Sequence, residues 1–193
     1  AVVFDCDGLL LETESRWTLA EQRVCDARGV AFSMDLKRQM LGSSLEVAGE
    51  LLAAWVGEPV SAGPALGQEL LHAYRAVIDE VGVEAMPGVA ELLLGLHRRI
   101  PLAVASNTNE HDTRRVLAKS GLPGVFDAVI CADGDITTKP APDLYLAACT
   151  ALRAAPRQAV AFEDSPLGAS AATAAGMYAI GVPPTVGVTL STH

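Results

Sequence analysis

The hydrophobic pattern changes character twice along the chain. It opens with a short apolar run, Val2-Val3-Phe4, that reads as a buried strand. From Thr13 to Gly82 the apolar positions recur at helical spacing instead. Leu19 marks one helical stretch. Leu45, Ala48, Leu51, Leu52 and Trp55 mark a second, and Leu66, Leu70, Leu71, Tyr74, Val77 and Ile78 a third, following the i, i+3, i+4, i+7 rule. The turn-rich segment from Gly57 to Pro64 separates two helical parts, and no convincing strand interrupts them.

From Glu84 onward short apolar runs alternate with helices. Pro87-Gly88 opens a helix with Val89, Leu92, Leu93 and Leu96 on one face. Strands are predicted over Leu102–Ala105, Ala128–Cys131, Ala159–Phe162 and Tyr178–Ile180. Helices are predicted over Glu110–Ser120, Asp143–Leu152 and Pro166–Ala175, with Gly121 and Gly176 stopping the first and last. Such alternation implies a parallel sheet covered on both faces. The expected class is therefore α/β, a doubly wound, Rossmann-like parallel-sheet core with an all-helical cap inserted after the first strand. The expected division is 1–12 and 83–193 for the core and 13–82 for the cap.

Three predicted strands end in polar side chains: Asp5 and Asp7, Ser106 and Asn107, Glu163 and Asp164. Lys139-Pro140 lies in the loop that opens a helix. In a parallel sheet these strand ends share one edge. Four carboxylates gathered there repel one another unless a cation balances them. Oxygen donors without histidine favour magnesium over zinc. Each group also has a plainer reading. Ser106-Asn107 alone is a turn or an N-cap, Lys139 alone a solvated charge, and Glu163-Asp164-Ser165-Pro166 an ordinary helix start. Asp143 reads as an N-cap. Cys6, between the two aspartates, is expected to point into the core.

Composition narrows the options. The chain has 193 residues, of which 50% are hydrophobic and 19% charged, enough for a substantial core. A net charge of −9 argues against binding nucleic acid, which needs a basic footprint. No apolar run approaches membrane-spanning length, and no signal peptide is visible. The four cysteines, Cys6, Cys25, Cys131 and Cys149, show no C-x-x-C spacing and no zinc pattern, so a reduced, cytoplasmic protein with buried thiols is expected. The chain starts inside a strand and stops at His193, so further residues are expected on both sides. Oligomeric state is not legible.

The segments FDCDGLLLETE, VASNT, KPAPD and VAFEDSPLGASAATAAGM stand in an order and spacing that resemble the haloacid dehalogenase-like hydrolases, in the subgroup with a helical cap after the first strand. The resemblance covers nearly the whole chain. It implies a Mg²⁺-dependent phosphatase acting on a small phosphorylated metabolite, in the first instance a sugar phosphate. In that pattern Asp5 is the nucleophile that becomes an aspartyl-phosphate, and Asp7 is the general acid and base. Ser106, the Asn107 backbone N–H and Lys139 hold the phosphoryl oxygens. Asp5, the Asp7 backbone carbonyl and Asp164 hold the metal, with Glu163 a ligand or a supporting partner.

The chain departs from the pattern at Glu12, usually aspartate, and at Thr138, usually glycine. The β-phosphoglucomutase branch is the alternative, but its hinge histidine aligns with Trp17, its cap arginine with Leu45 and its core lysine with Asn109. Those absences favour a simple phosphatase. A non-catalytic phosphate-binding protein would be expected to lack Asp5 or Asp7. Gly42-Ser43-Ser44 is a substrate-facing loop or a helix start. Trp17 and Trp55 read as cap packing. No role is assigned to His72, His97, His111 or His193.

Overall fold

The computed structural model describes residues 1–41, 43–122 and 124–182. Gly42 and His193 therefore lie outside the described residues. The core is a five-stranded parallel sheet in the order β3-β2-β1-β4-β5, formed by β1 (Val2–Phe4), β2 (Leu102–Ser106), β3 (Ala128–Cys131), β4 (Val160–Glu163) and β5 (Tyr178–Gly181). This is the expected α/β sheet. The first strand is central because the chain crosses to β2 on one side and later to β4 on the other. That reversal opens a crevice beyond the carboxyl end of β1, where α/β sheets bind their ligands.

Alternation along the strands sorts their side chains between two cores. Val2, Phe4, Leu102 and Val104 face a layer that includes Leu93 of α5 (Val89–Leu96) and Val116 of α6 (Glu110–Lys119). Val3, Ala103, Ala105 and Ala161 face α7 (Asp143–Ala151) and α8 (Pro166–Ala174). The second face is rich in alanine, so these two helices come close to the sheet. Register fixes the functional edge. Phe4 pairs with Val104 on one side and with Phe162 on the other, so Asp5, Ser106 and Glu163 follow at neighbouring heights.

Between β1 and α5 the described chain is helical: α1 (Glu14–Asp26), α2 (Met34–Met40), α3 (Leu45–Val56) and α4 (Gly63–Val81), with a single 3₁₀ turn over Val60–Ala62 where the sequence read as turn-rich. Every apolar position predicted on α4 is buried, from Leu66 to Ile78. On α3 Ala48 and Leu52 are buried, while Trp55 lies at the surface and donates its indole N–H to the Ala31 carbonyl at 3.0 Å. Gly49 makes the α3–α4 crossing possible. A Cβ there would stand 2.1 Å from the Gly63 carbonyl oxygen. The two connections to the core run side by side: the Glu12 N–H bonds the Glu84 carbonyl at 2.9 Å, and the Met86 N–H bonds that of Leu10 at 2.9 Å.

Candidate active site

The chain curls immediately after β1. Asp5 is still in line with the sheet, its N–H bonded to the Phe162 carbonyl at 3.0 Å. The Cys6 carbonyl then accepts from the N–H groups of Leu10 and Leu11, closing a tight loop. Gly8 sits in that loop at φ +78°, a conformation that favours glycine, and a Cβ there would stand 2.3 Å from Asp164 Oδ2. The curl separates the two aspartates. Asp5 is buried between β2 and β4. Asp7 is turned toward the end of β2, where its Oδ2 accepts from Thr108 Oγ1 at 3.1 Å and Ser106 Oγ at 3.4 Å. Cys6 is fully buried in the core.

Lys139 joins the strand ends. Its buried Nζ lies 2.5 Å from Asp5 Oδ1 and 2.6 Å from Glu163 Oε1. Asn107 holds the lysine's own backbone, its Oδ1 accepting from the Lys139 N–H at 2.8 Å. Glu163 is wholly buried at the end of β4. Its Oε1 also accepts from the Tyr145 hydroxyl, and its Oε2 from Ser165 Oγ at 3.0 Å. Its carboxylate occupies the space that a Cβ of Gly168 would fill. The Tyr145 ring lies under the Lys139 ammonium, 5.1 Å from its centroid.

One ammonium does not balance the acids around it. Burial pushes the Asp5 carboxyl up to about 8, against the pull of Lys139, with Glu163, Asp7 and Asp164 adding to the rise. Burial and the Glu163 charge push Asp164 up to about 7. Burial alone would lower Lys139, but Asp5 and Glu163 outweigh it and hold the ammonium above its ordinary value. Carboxylate oxygens of Asp5, Glu163 and Asp164 lie within 4.8 Å of one another. A surplus of negative charge on a set of oxygen donors fits a hard divalent cation such as Mg²⁺. The Asp7 carboxylate stands outside this group.

Several residues of the site went unread in the sequence. Thr108 follows Ser106-Asn107 directly and shares Asp7 with Ser106. Tyr145 is a buried residue of α7 beside Leu144, and nothing local marks its hydroxyl. Asp143 is the first residue of α7 rather than its N-cap; Pro142 takes that place, and no side chain caps the helix. His111 is exposed and lies against Asp112. Glu12 accepts from the Ser15 N–H at 3.1 Å and pairs with Arg16, whose Nε reaches the Gly82 carbonyl at 3.0 Å. The longer acid thus ties the two connections together. Trp17 stacks on Tyr74 with ring centroids 3.8 Å apart, and Asn109 caps α6.

A parallel sheet with acids at its central strand end and a lysine bridging two of them makes an α/β protein whose site suits a charged group. Residues 1–176 match the family model of the haloacid dehalogenase-like hydrolases, and the chain belongs to that family. It is an enzyme of the family's phosphatase type. It is 31% identical to the fructose-1-phosphate phosphatase YqaB of Escherichia coli, covering 94% of this chain and 95% of that one. It is 30% identical to the β-phosphoglucomutase of Bacillus subtilis, covering 94% and 80%. The crystal structure of a CbbY mutant from Rhodobacter sphaeroides in complex with xylulose-(1,5)bisphosphate is similar at a TM-score of 0.79, 27% identical, covering 94% of this chain and 85% of that one.

Proposed function

We propose that this enzyme is a magnesium-dependent phosphatase that hydrolyses a small phosphorylated metabolite, a sugar phosphate, through an aspartyl-phosphate. The observation that carries the reading is Lys139, which bonds Asp5 and Glu163 at once where Asp164 converges on the same point. Asp5, Asp164 and the Asp7 carbonyl would hold the metal. Glu163, whose oxygens already accept from Lys139, Tyr145 and Ser165, is suited to fixing the lysine. Bound there, Mg²⁺ would neutralise the carboxylates and polarise the phosphoryl oxygens.

The protein's own groups carry the steps. An Asp5 carboxylate oxygen attacks phosphorus, and the bond to the leaving oxygen breaks as Asp7 gives that oxygen its proton. Asp7 then takes a proton from water, the water oxygen attacks phosphorus, and the Asp5–phosphorus bond breaks to release phosphate. Ser106, the Asn107 N–H and Lys139 stabilise the charge on the equatorial oxygens. Residues 13–82 act as a cap that excludes bulk water and selects the substrate. The four free, buried cysteines suit a reducing cytoplasm. Among the described residues no helix is long and apolar enough to cross a membrane.

The mutase alternative needs cations where this chain has none. Trp17 is engaged in its stack, Leu45 opens α3 and Asn109 caps α6, which supports the phosphatase. Asp5→Asn is expected to abolish phosphate release from an aryl phosphate while leaving the thermal midpoint close to that of the parent. Chelation stops the parent enzyme and added Mg²⁺ restores it. Retained turnover in Asp5→Asn removes Asp5 as nucleophile, and indifference to chelation removes the metal.

A further inference from the structure

Asp7 does not stand free at the end of its loop. Its Oδ2 accepts from Thr108 Oγ1 at 3.1 Å and from Ser106 Oγ at 3.4 Å. Both bonds fall on one oxygen, so Oδ1 is left to carry the proton that the reaction needs. Ser106 is not a lasting partner. A hydroxyl has one proton to donate. Its oxygen already accepts from the Thr108 N–H at 3.0 Å. When its proton turns to a phosphoryl oxygen, the serine has no donor left for Asp7, and the Thr108 hydroxyl is the one that remains.

The surroundings of Thr108 hold it for that task. Its N–H is on Ser106, and its carbonyl accepts from Thr113 Oγ1 at 3.4 Å. A threonine at this place would ordinarily cap the helix that follows. The cap of α6 is Asn109 instead, whose Oδ1 accepts from the Asp112 N–H at 3.0 Å. The Thr108 hydroxyl is therefore not spent on the helix. Its branched Cβ also restricts rotation, so the hydroxyl keeps its direction. Asn109 Nδ2 donates to Asp112 Oδ2 at 2.7 Å, and Asp112 is buried, which fastens the loop at its α6 end. On its other side Asp7 faces the helical segment: burial raises the Tyr74 phenol of α4 most, and the Asp7 charge next. The acid thus lies at the border between core and α4.

We infer that Thr108 is the positioning residue for Asp7: its hydroxyl fixes the carboxyl through Oδ2, so that Oδ1 meets the leaving oxygen once Ser106 has turned to the phosphoryl group. In the first transfer the Oδ1 proton passes to the leaving oxygen as its bond to phosphorus breaks. In the second a water proton passes to Oδ1 as the water oxygen bonds phosphorus and the Asp5–phosphorus bond breaks. The inference rests on the phosphatase reading and adds the residue that holds its acid in place.

Two aryl esters test it. Phenyl phosphate needs a proton on its leaving oxygen, whereas the leaving group of 4-nitrophenyl phosphate departs as a stable anion. Thr108→Val, which keeps the shape and removes the hydroxyl, is expected to lower kcat/KM about tenfold for phenyl phosphate and less than about twofold for 4-nitrophenyl phosphate. Thr108→Ser restores most of the loss. Inhibition by inorganic phosphate is the same in the parent and both variants, because Thr108 holds the acid and not the phosphoryl oxygens. Melting curves establish folding, and Thr108→Ala takes the place of the valine variant if that one does not fold. Equal losses on the two esters, or none, overturn the role, as does a serine variant no better than the valine one. Weaker phosphate inhibition in Thr108→Val overturns it by placing the hydroxyl on the phosphoryl group. A parent inert to both esters refutes the phosphatase reading and the role with it, whereas equal losses in an active enzyme remove the role alone.

Discussion

Tyr145 contributes through its hydroxyl rather than its bulk. The ring fills a core position, but the oxygen donates to Glu163 and the π face meets the Lys139 ammonium. Removing the hydroxyl leaves a buried carboxylate short of one donor, at a cost of about 1–3 kcal/mol. Tyr145→Phe is therefore expected to stay folded and to lose about tenfold in kcat with little change in KM, because Lys139 is less firmly held against Asp5. Steady-state kinetics on an aryl phosphate beside a melting curve checks this, and an unaltered kcat would remove the positioning role. Asp5 and Glu163 are legible in the sequence as polar residues that end apolar runs, and Lys139 through the KPAPD segment. Tyr145 is not, since a tyrosine on an apolar helix face looks the same whether or not its hydroxyl has a target. Thr108 was passed over for a similar reason: a threonine after Ser106-Asn107 is ordinary in a turn, and only folding brings it to Asp7.

At the scale of elements, ion pairs between α4 and α6 fasten the helical segment to the core, with Asp79 meeting Arg115 and Lys119 nearer the surface. Arg75 of α4 grips Asp112 of α6 through two parallel bonds of 2.8 Å, and Asp112 is buried. Burial would raise the Asp112 carboxyl, but Arg75, Asn109 and His111 overcome it and hold it below its ordinary value. A lowered carboxyl stabilises the fold above the ordinary carboxylate range and loses that contribution as pH falls through the folded value. Arg75→Met should lower stability by about 1–3 kcal/mol, discounted for the partial exposure of the arginine, and raise KM as docking loosens. Melting and steady-state kinetics report the two effects. The core elements were legible to within a residue, because apolar alternation and helix stops are strong local signals. The helical segment was legible as helical but not as four separate helices. α2 is only seven residues long and α1 is largely polar, so packing on α3 and α4 decides where they begin and end.

Over the whole molecule, a chain of net charge −9 gathers several of its acids at one sheet edge. Asp5 and Asp164 bind protons more tightly folded than unfolded, so their contribution to stability is present in acid and lost as pH rises through about 7 to 8. The metal-free protein is expected to melt progressively lower between about pH 5 and about pH 8.5, and Mg²⁺ to raise the midpoint more at the alkaline end. Thermal melts in chelator and in Mg²⁺ across that range decide it. A flat metal-free profile would mean that the carboxylates do not crowd as the structure has them. The sequence by itself determined the parallel α/β core, its helical insertion and the family, because hydrophobic period and ordered motifs are local properties of the chain. Only the tertiary structure decided which groups meet: Lys139 between Asp5 and Glu163, Tyr145 beneath them, Asp7 turned toward Thr108, and Lys37 held between two glutamates. Those contacts arise from strand register and helix packing across more than a hundred residues of separation in the widest case, and no local pattern encodes a distance of that kind.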